Sequence, residues 1–256
     1  MYPVVPDPTP SPHIVRLITD PINEVRKGEH DKDNLLHFRA FASSIAQRCR
    51  SELLQDAWVL WRTSAKEGGF FVEFGAADGL NRSNTYLLEY SFKWAGIVAE
   101  PNPDFGEMLR RNRSCFVSDK CVYSRSGEML DFMAVRNRRL SRIAAIDAFD
   151  DLESTRQRDF RSIRVPSTSL NDLLLEAGAP ADIDYISIDT EGAELEILSH
   201  FDFDRWNVRL FTIDHNFSKR RSEVNDLLER KGYARVWPEI VQFDDWYIKN
   251  TDQFAA

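Results

Sequence analysis

Three observations predict an α/β fold built on a mostly parallel sheet. Short apolar runs alternate with helical periodicities; the first run closes as Val72-Glu73-Phe74-Gly75-Ala76-Ala77-Asp78-Gly79; a second, Gly96-Ile97-Val98-Ala99, closes on Glu100-Pro101. An apolar run ending in an acid and a glycine turn, followed about twenty residues later by another run ending in an acid, is the layout of a nucleotide-binding sheet. Gly75 and Gly79 let the backbone approach a ligand with no Cβ in the way. Glu100, at the end of the second strand, is placed to accept both ribose hydroxyls. The spacing Glu-x-Gly-x-x-x-Gly departs from the Gly-x-Gly-x-x-Gly that turns a helix N-terminus toward a pyrophosphate, and Asp78 adds a negative charge where a phosphate would lie. The expected ligand is a nucleoside without phosphates, and S-adenosylmethionine fits.

Each element follows in order along the chain. Prolines at 3, 6, 8, 10 and 12 deny regular hydrogen bonding, so residues 1–32 are expected to be an extended arm. Leu35, Phe38, Phe41, Ala42, Ile45 and Cys49, then Leu53, Leu54, Ala57, Leu60 and Trp61, recur at helical spacing and predict two helices within residues 33–68. Gly68-Gly69 separates these from a sheet domain over 69–256, with strands expected at 70–74, 96–99, 115–118, 184–188 and 208–213 and helices after the first, second and fourth. Val224, Leu227 and Leu228 mark a last helix stopping at Gly232, and 234–237 with 246–249 form a terminal hairpin.

Residues 119–183 depart from the minimal alternation, with an insertion at about 120–165. Lys120–Tyr123 and Met129–Val135 flank Ser124-Arg125-Ser126-Gly127 and read as a hairpin. An arginine-rich stretch follows, with Arg136, Arg138, Arg139, Arg142, Arg156, Arg158, Arg161 and Arg164 interleaved with Asp147, Asp150, Asp151, Glu153 and Asp159. Its charges either pair among themselves on a solvated face or form a lid whose guanidinium forks grip an anionic or polyhydroxylated substrate.

A formal charge of -8 argues against a general nucleic-acid binder. No apolar run of about 18 residues is present and the N-terminus lacks a secretory pattern, so a cytoplasmic protein without membrane insertion is expected. Cys49, Cys115 and Cys121 lack metal spacing and read as packing residues of a reducing compartment. Trp94, Trp206 and Trp246 serve either the core or a sugar-stacking surface. Composition does not set an oligomeric state.

Four blocks in register carry a family resemblance: residues 72–79, Ser83-Asn84-Thr85-Tyr86-Leu87-Leu88-Glu89, Gly96-Ile97-Val98-Ala99-Glu100-Pro101-Asn102-Pro103, and Ile188-Asp189-Thr190-Glu191-Gly192-Ala193-Glu194. Over roughly residues 70–250 the chain resembles the FkbM family of S-adenosylmethionine-dependent methyltransferases, with Thr190 standing where similar proteins often have Val. The resemblance implies a class I, Rossmann-like, mostly parallel seven-stranded sheet with a C-terminal antiparallel hairpin, the cofactor lying over the strand carboxyl ends. Glu73, Gly75, Ala76, Asp78 and Gly79 then form the turn under the methionine moiety, with Glu73 accepting from its amino group. Asn84 and Pro101 belong to the same cofactor set, Glu100 holds the ribose, and Asp119 accepts from the adenine amine. Ser83-Asn84-Thr85 also reads as a helix N-cap.

Methyl transfer to a hydroxyl needs alignment, a dry pocket and a base. Asp189, at the end of the fourth parallel strand, and Asp214-His215, at the end of the fifth, are the candidates: His215 as general base, with Asp189 or Asp214 orienting it or acting itself. Asp189, Glu191, Asp214 and His215 would also suit a divalent metal, but their spacing is too loose to predict one. The expected acceptor is a hydroxyl on a sugar, glycoconjugate or natural product. A nicotinamide oxidoreductase is disfavoured by Asp78, and a catalytically inactive binding module by the intact Glu73, Gly75, Gly79, Glu100 and Asp189.

Overall fold

The computed structural model describes Ile18 and residues 29–135, 140–146 and 160–252. Eleven strands are described: β1 (Phe70–Phe74), β2 (Ala95–Ala99), β3 (Phe116–Ser118), β4 (Cys121–Tyr123), β5 (Met129–Val135), β6 (Arg142–Ile143), β7 (Phe160–Ser169), β8 (Asp182–Ile188), β9 (Asn207–Asp214), β10 (Tyr233–Val236) and β11 (Asp244–Lys249). The helices are α1 (Glu29–Ile45), α2 (Gln55–Arg62), α3 (Tyr86–Phe92), α4 (Pro103–Asn112), α5 (Leu170–Glu176), α6 (Glu194–Ser199) and α7 (Arg221–Arg230).

Seven strands form one sheet in the order β10-β11-β9-β8-β1-β2-β3. β3, β2, β1, β8 and β9 run parallel, while β11 is antiparallel to both β9 and β10. The order reverses at β1, so the crevice beyond the carboxyl ends of β1 and β8 is where such a sheet takes a ligand. The helices start where local chemistry lets them. Asn102 accepts at its side chain from the Asp104 amide at 3.1 Å with Pro103 in the first turn of α4, and Ser169 does the same for the Asp172 amide in front of α5.

Apolar side chains cover both faces of the sheet. One layer packs α5, α6 and α7 with Ile186, Phe211 and the insertion; the other packs α1 to α4 with Phe71, Tyr185 and Trp246. The N-terminal helices are therefore part of the core: Trp58 lies 5.0 Å from Trp246 between ring centroids, and Phe38 stacks on Trp237 at 5.4 Å. Trp94, Trp206 and Trp246 are all buried, which assigns them to packing and not to sugar stacking. The three cysteines are free, with Cys49 and Cys121 buried and Cys115 half-buried.

Three expectations change. Helix α1 begins at Glu29, inside the stretch expected to be an extended arm, whose prolines lie outside the described residues. The hairpin expected over 120–135 does not form: β7 lies between its two arms, parallel to β4 and antiparallel to β5, in a four-stranded sheet ordered β4-β7-β5-β6. The ten-residue β7 offers seven paired positions to β5, which no three-residue partner can match. Helix α5 follows β7 without having been expected. Among the described residues no helix is long and apolar enough to cross a membrane.

Candidate functional site

Two cavities open beyond the strand carboxyl ends and meet at Phe74, Gly75, Ala77 and Asp189, which line both. The larger holds about 250 Å³ and the smaller about 60 Å³. Gly75 makes the junction. It has φ of +77°, and a Cβ there would lie 1.9 Å from the Asp189 carbonyl oxygen, so only glycine lets the two strand ends come this close.

The smaller cavity lies over β2 and is lined by Glu100, Pro101, Lys120, Cys121 and Val122, with Phe132, Ser141 and Ile143 of the insertion above them. Glu100 accepts from the Ala77 amide at 3.0 Å through one oxygen and from the Asn102 amide at 2.8 Å through the other. Each oxygen thus keeps a lone pair for a ligand hydroxyl. Burial pushes the carboxyl up to about 7, against the pull of those two amides. Cys121 is raised to about 12 by burial and is a wall, not a nucleophile.

Glu73 lines the larger cavity, but its carboxylate is already occupied. Its Oε2 accepts from Ser83, Thr85 and Arg113, and its Oε1 from the Asn84 amide at 2.8 Å. It therefore clamps the Ser83–Thr85 segment and the buried Arg113, which leaves little capacity for the cofactor amine expected of it. The clamp has a product: Asn84 donates to Ser187 at 2.9 Å while its side-chain oxygen is buried without a partner in the cavity wall.

Other expected cofactor residues divide. Ala76 lines the larger cavity and Pro101 the smaller, whereas Asp78, Gly79 and Asp119 line neither. The Asp78 carboxylate turns back on its own loop, accepting from the amides of Leu80 and Asn81. Gly79 faces α4, where a Cβ would meet Leu109 at 2.5 Å. Asp119 is exposed and pairs with Arg110 at 3.4 Å, because the chain has already turned outward at the end of β3. Its neighbours Lys120 and Cys121 take the wall position instead.

The far wall of the larger cavity carries a row of carboxylates on neighbouring strand ends. Asp189 follows β8, Asp214 ends β9, and Asp244, which opens β11, sits directly across from Asp214 in the antiparallel ladder. Like charges so placed repel, and burial adds to the cost. Burial, with Glu191 and the neighbouring acids, drives Asp189 well above the usual carboxylate range; burial and Asp189 do the same to Asp214. Asp244 reaches about 7, lifted by burial and held back by the Gln55 amide, which donates to it at 2.7 Å. Asn216 donates to Asp214 at 2.6 Å. At the mouth Arg82 pairs with Glu52 at 2.8 Å.

His215 is not in this cavity. Thr212 and Asp214 line the larger cavity, whereas His215, just past the end of β9, borders only a small void that it shares with Asp214, Ser218, Arg221 and Asp245. Its Nδ1 accepts from the Phe217 amide at 2.9 Å, and burial lowers its pKa to about 4. This placement gives no support to the expectation of His215 as general base. Asp244, Gln55 and Glu52 were not foreseen; Asp244 stood in an unremarkable polar turn, and nothing near Gln55 marks it.

The arginine lid finds no support among the described residues. Arg142 donates to the carbonyls of Ile143 and Ile146, Arg161 pairs with Asp104 at 2.5 Å, and Arg164 donates to the Met129 carbonyl at 3.1 Å. Arg136, Arg138, Arg139, Arg156 and Arg158 lie outside the described residues, as do Asp147, Asp150, Asp151, Glu153 and Asp159. Among the described residues no three His, Cys, Asp or Glu side chains gather as a metal site. S-adenosylmethionine does fit: the Gly75 junction leaves room that a Cβ would fill, Glu100 keeps acceptor capacity, and the orphaned Asn84 oxygen needs a donor.

The profile of the methyltransferase FkbM domain matches residues 73–235. No curated protein sequence matches the chain. Similar solved structures include precorrin-6y C5,15-methyltransferase from Geobacter metallireducens, 12% identical over 70% of each chain with a TM-score of 0.38. A TehB-like SAM-dependent methyltransferase from Corynebacterium glutamicum is 9% identical, over 86% of this chain and 97% of that one, with a TM-score of 0.41. The N-terminal domain of human METTL16 is 11% identical over 98% of each chain, with a TM-score of 0.42.

Proposed function

The chain belongs to the FkbM methyltransferase family, and from that premise we propose that it methylates a hydroxyl of a sugar, glycoconjugate or natural product, using S-adenosylmethionine. When bound, the sulfonium supplies the methyl carbon and departs as a neutral thioether. The observation that carries the reading is the pairing of two unlike cavities at Asp189. The small one is largely apolar and, besides Asp189 at the seam, carries the Glu100 carboxylate suited to a ribose. The large one is walled by hydroxyls, amides and carboxylates, the groups that recognise a polyhydroxylated acceptor.

In this reading Glu100 accepts from the ribose hydroxyls, the Asn84 oxygen accepts from the cofactor's amino group, and Ala76 and Ala77 present backbone to its methionine end. Asp189, at the seam, orients the acceptor hydroxyl. Leu140, Ser141 and Phe132 of the insertion exclude water from above.

Calorimetry with S-adenosylmethionine should give a binding isotherm for the wild type. Methyl-labelled cofactor offered with a panel of neutral glycosides should then place label on oxygen, read by mass spectrometry. Absence of cofactor binding would sink the whole reading; label on nitrogen or carbon would sink the hydroxyl acceptor alone.

A further inference from the structure

The carboxylate row in the larger cavity is asymmetric, and the asymmetry selects one member. Asp214 stands between Asp189 and Asp244, so its charge is opposed from both sides. Asp189 sits at the seam of the two cavities and carries no side-chain hydrogen bond among the described residues, so nothing on the protein favours its charged form. Asp244 has only one member of the row beside it and accepts from the Gln55 side chain at 2.7 Å, with both residues buried. A donor to a carboxylate favours the ionised state. Asp214 also accepts, from Asn216 at 2.6 Å, but it has an acid of the row on each side where Asp244 has one, so a single negative charge shared by the row settles on Asp244.

Gln55 is held for this task. Its own oxygen accepts from the Leu53 amide at 2.8 Å, and Leu54 between them is fully buried in the left-handed region at φ 64°. A branched apolar residue takes that conformation only at a cost that the surrounding core must offset. Ser51 bridges to Arg82 and donates to Asp56 at 2.5 Å, pinning the segment in front of α2 against the cavity mouth. Gln55 and Asp244 both lie outside the matched residues 73–235, so the family match assigns this pair no role.

We infer that Asp244 is the carboxylate that takes the acceptor's hydroxyl proton, and that Gln55 is the positioning residue that keeps it charged. The inference rests on the hydroxyl-acceptor reading above. As the hydroxyl oxygen forms its new bond to carbon, its proton passes to Asp244, which becomes neutral and returns the proton to solvent. Glu73 and Glu52 are excluded from the role by Arg113 and Arg82, and His215 by its placement. The charged groups that face Asp244 are Asp214 on β9, Asp189 after β8, its neighbour Asp245, and Glu52 ahead of α2.

The test uses the full chain and the neutral glycoside that takes most label. Asp244→Asn should lower kcat about 100-fold or more while cofactor affinity stays within about twofold. Gln55→Leu should move the rising limb of the kcat–pH profile upward by about one unit, with turnover recovering on the alkaline plateau, since a lost donor to a charged group is worth about that much. A readout without turnover accompanies these. A carboxyl raised on folding makes stability fall as pH climbs from about 4 to about 7, because the folded state keeps a proton the unfolded state has lost. Asp244→Asn should therefore raise Tm relative to wild type by about 3 °C more at pH 8 than at pH 5. Turnover within threefold of wild type in Asp244→Asn, a Gln55→Leu profile lowered without displacement, or a Tm difference equal at both pH values would each overturn the assignment. Failure of cofactor binding or of oxygen labelling in the wild type would instead strike the underlying reading, while the Tm arm still reports on Asp244.

Discussion

The two sides of the strand-end cleft are built by opposite means. The cofactor side is local: Gly75, Ala77, Glu100 and Pro101 come from two short blocks, and its key contacts are backbone amides on a carboxylate within 23 residues. The acceptor side is assembled at long range, with Asp189, Asp214 and Asp244 brought level by sheet pairing and Gln55 reaching Asp244 across 189 residues of sequence. A side built from local turns fails when its backbone is disturbed. A side built from aligned strand ends fails when a single side chain is changed, because its backbone is common sheet.

The largest expected effect is therefore a backbone one. Gly75→Ala places a Cβ 1.9 Å from the Asp189 carbonyl oxygen at a φ of +77°, so β1 and β8 must part at the point where both cavities meet. A loss of about 3 kcal/mol or more is expected in urea denaturation, with cofactor binding lost as well. If the variant keeps wild-type stability, the junction is looser than its geometry states and the contrast between the two sides dissolves.

Glu100→Ala comes next and sharpens the same contrast. Loss of a carboxylate that accepts two hydroxyls should weaken S-adenosylmethionine binding on the order of 10- to 100-fold by calorimetry. Since Glu100 holds its proton up to about pH 7, its acceptor strength grows as pH rises through that value. Wild-type affinity should improve between pH 6 and 8, and Glu100→Gln should remove the trend; a slope that persists in that variant would assign the titration elsewhere.

This division also explains what could be read in advance. The strands of the parallel sheet were legible to within two residues because each is an apolar run with a clear stop, and Val72–Gly79 and Gly96–Pro103 are contiguous. The hairpin at 120–135 was misread because Ser124–Gly127 is a good reversal signal, and nothing local shows that β7, over twenty residues later, takes the place of the partner strand. Gln55 and Asp244 had no signal for the same reason: their meaning arises only when α2 and β11 are packed together. The partners of Glu73 were not legible at all, since the hydroxyls and the arginine that fill its oxygens arrive from residues 83, 85 and 113.

His215 offers the smallest effect on turnover. His215 stands one residue past the end of β9 and does not line the larger cavity, so His215→Ala should leave kcat within about twofold of wild type. Its cost falls on stability. The ring accepts from the Phe217 amide, packs edge-on against the Phe217 ring at 5.5 Å, and is kept neutral down to about pH 4 by burial, whereas an unfolded histidine takes up a proton near 6.5. Between those values the unfolded state binds the extra proton, so wild-type stability must fall as pH drops from about 6.5 toward 4. His215→Ala should lower Tm at pH 7.5 and narrow its deficit at pH 5. A collapse of kcat with Tm unchanged would put the imidazole back among the reacting groups.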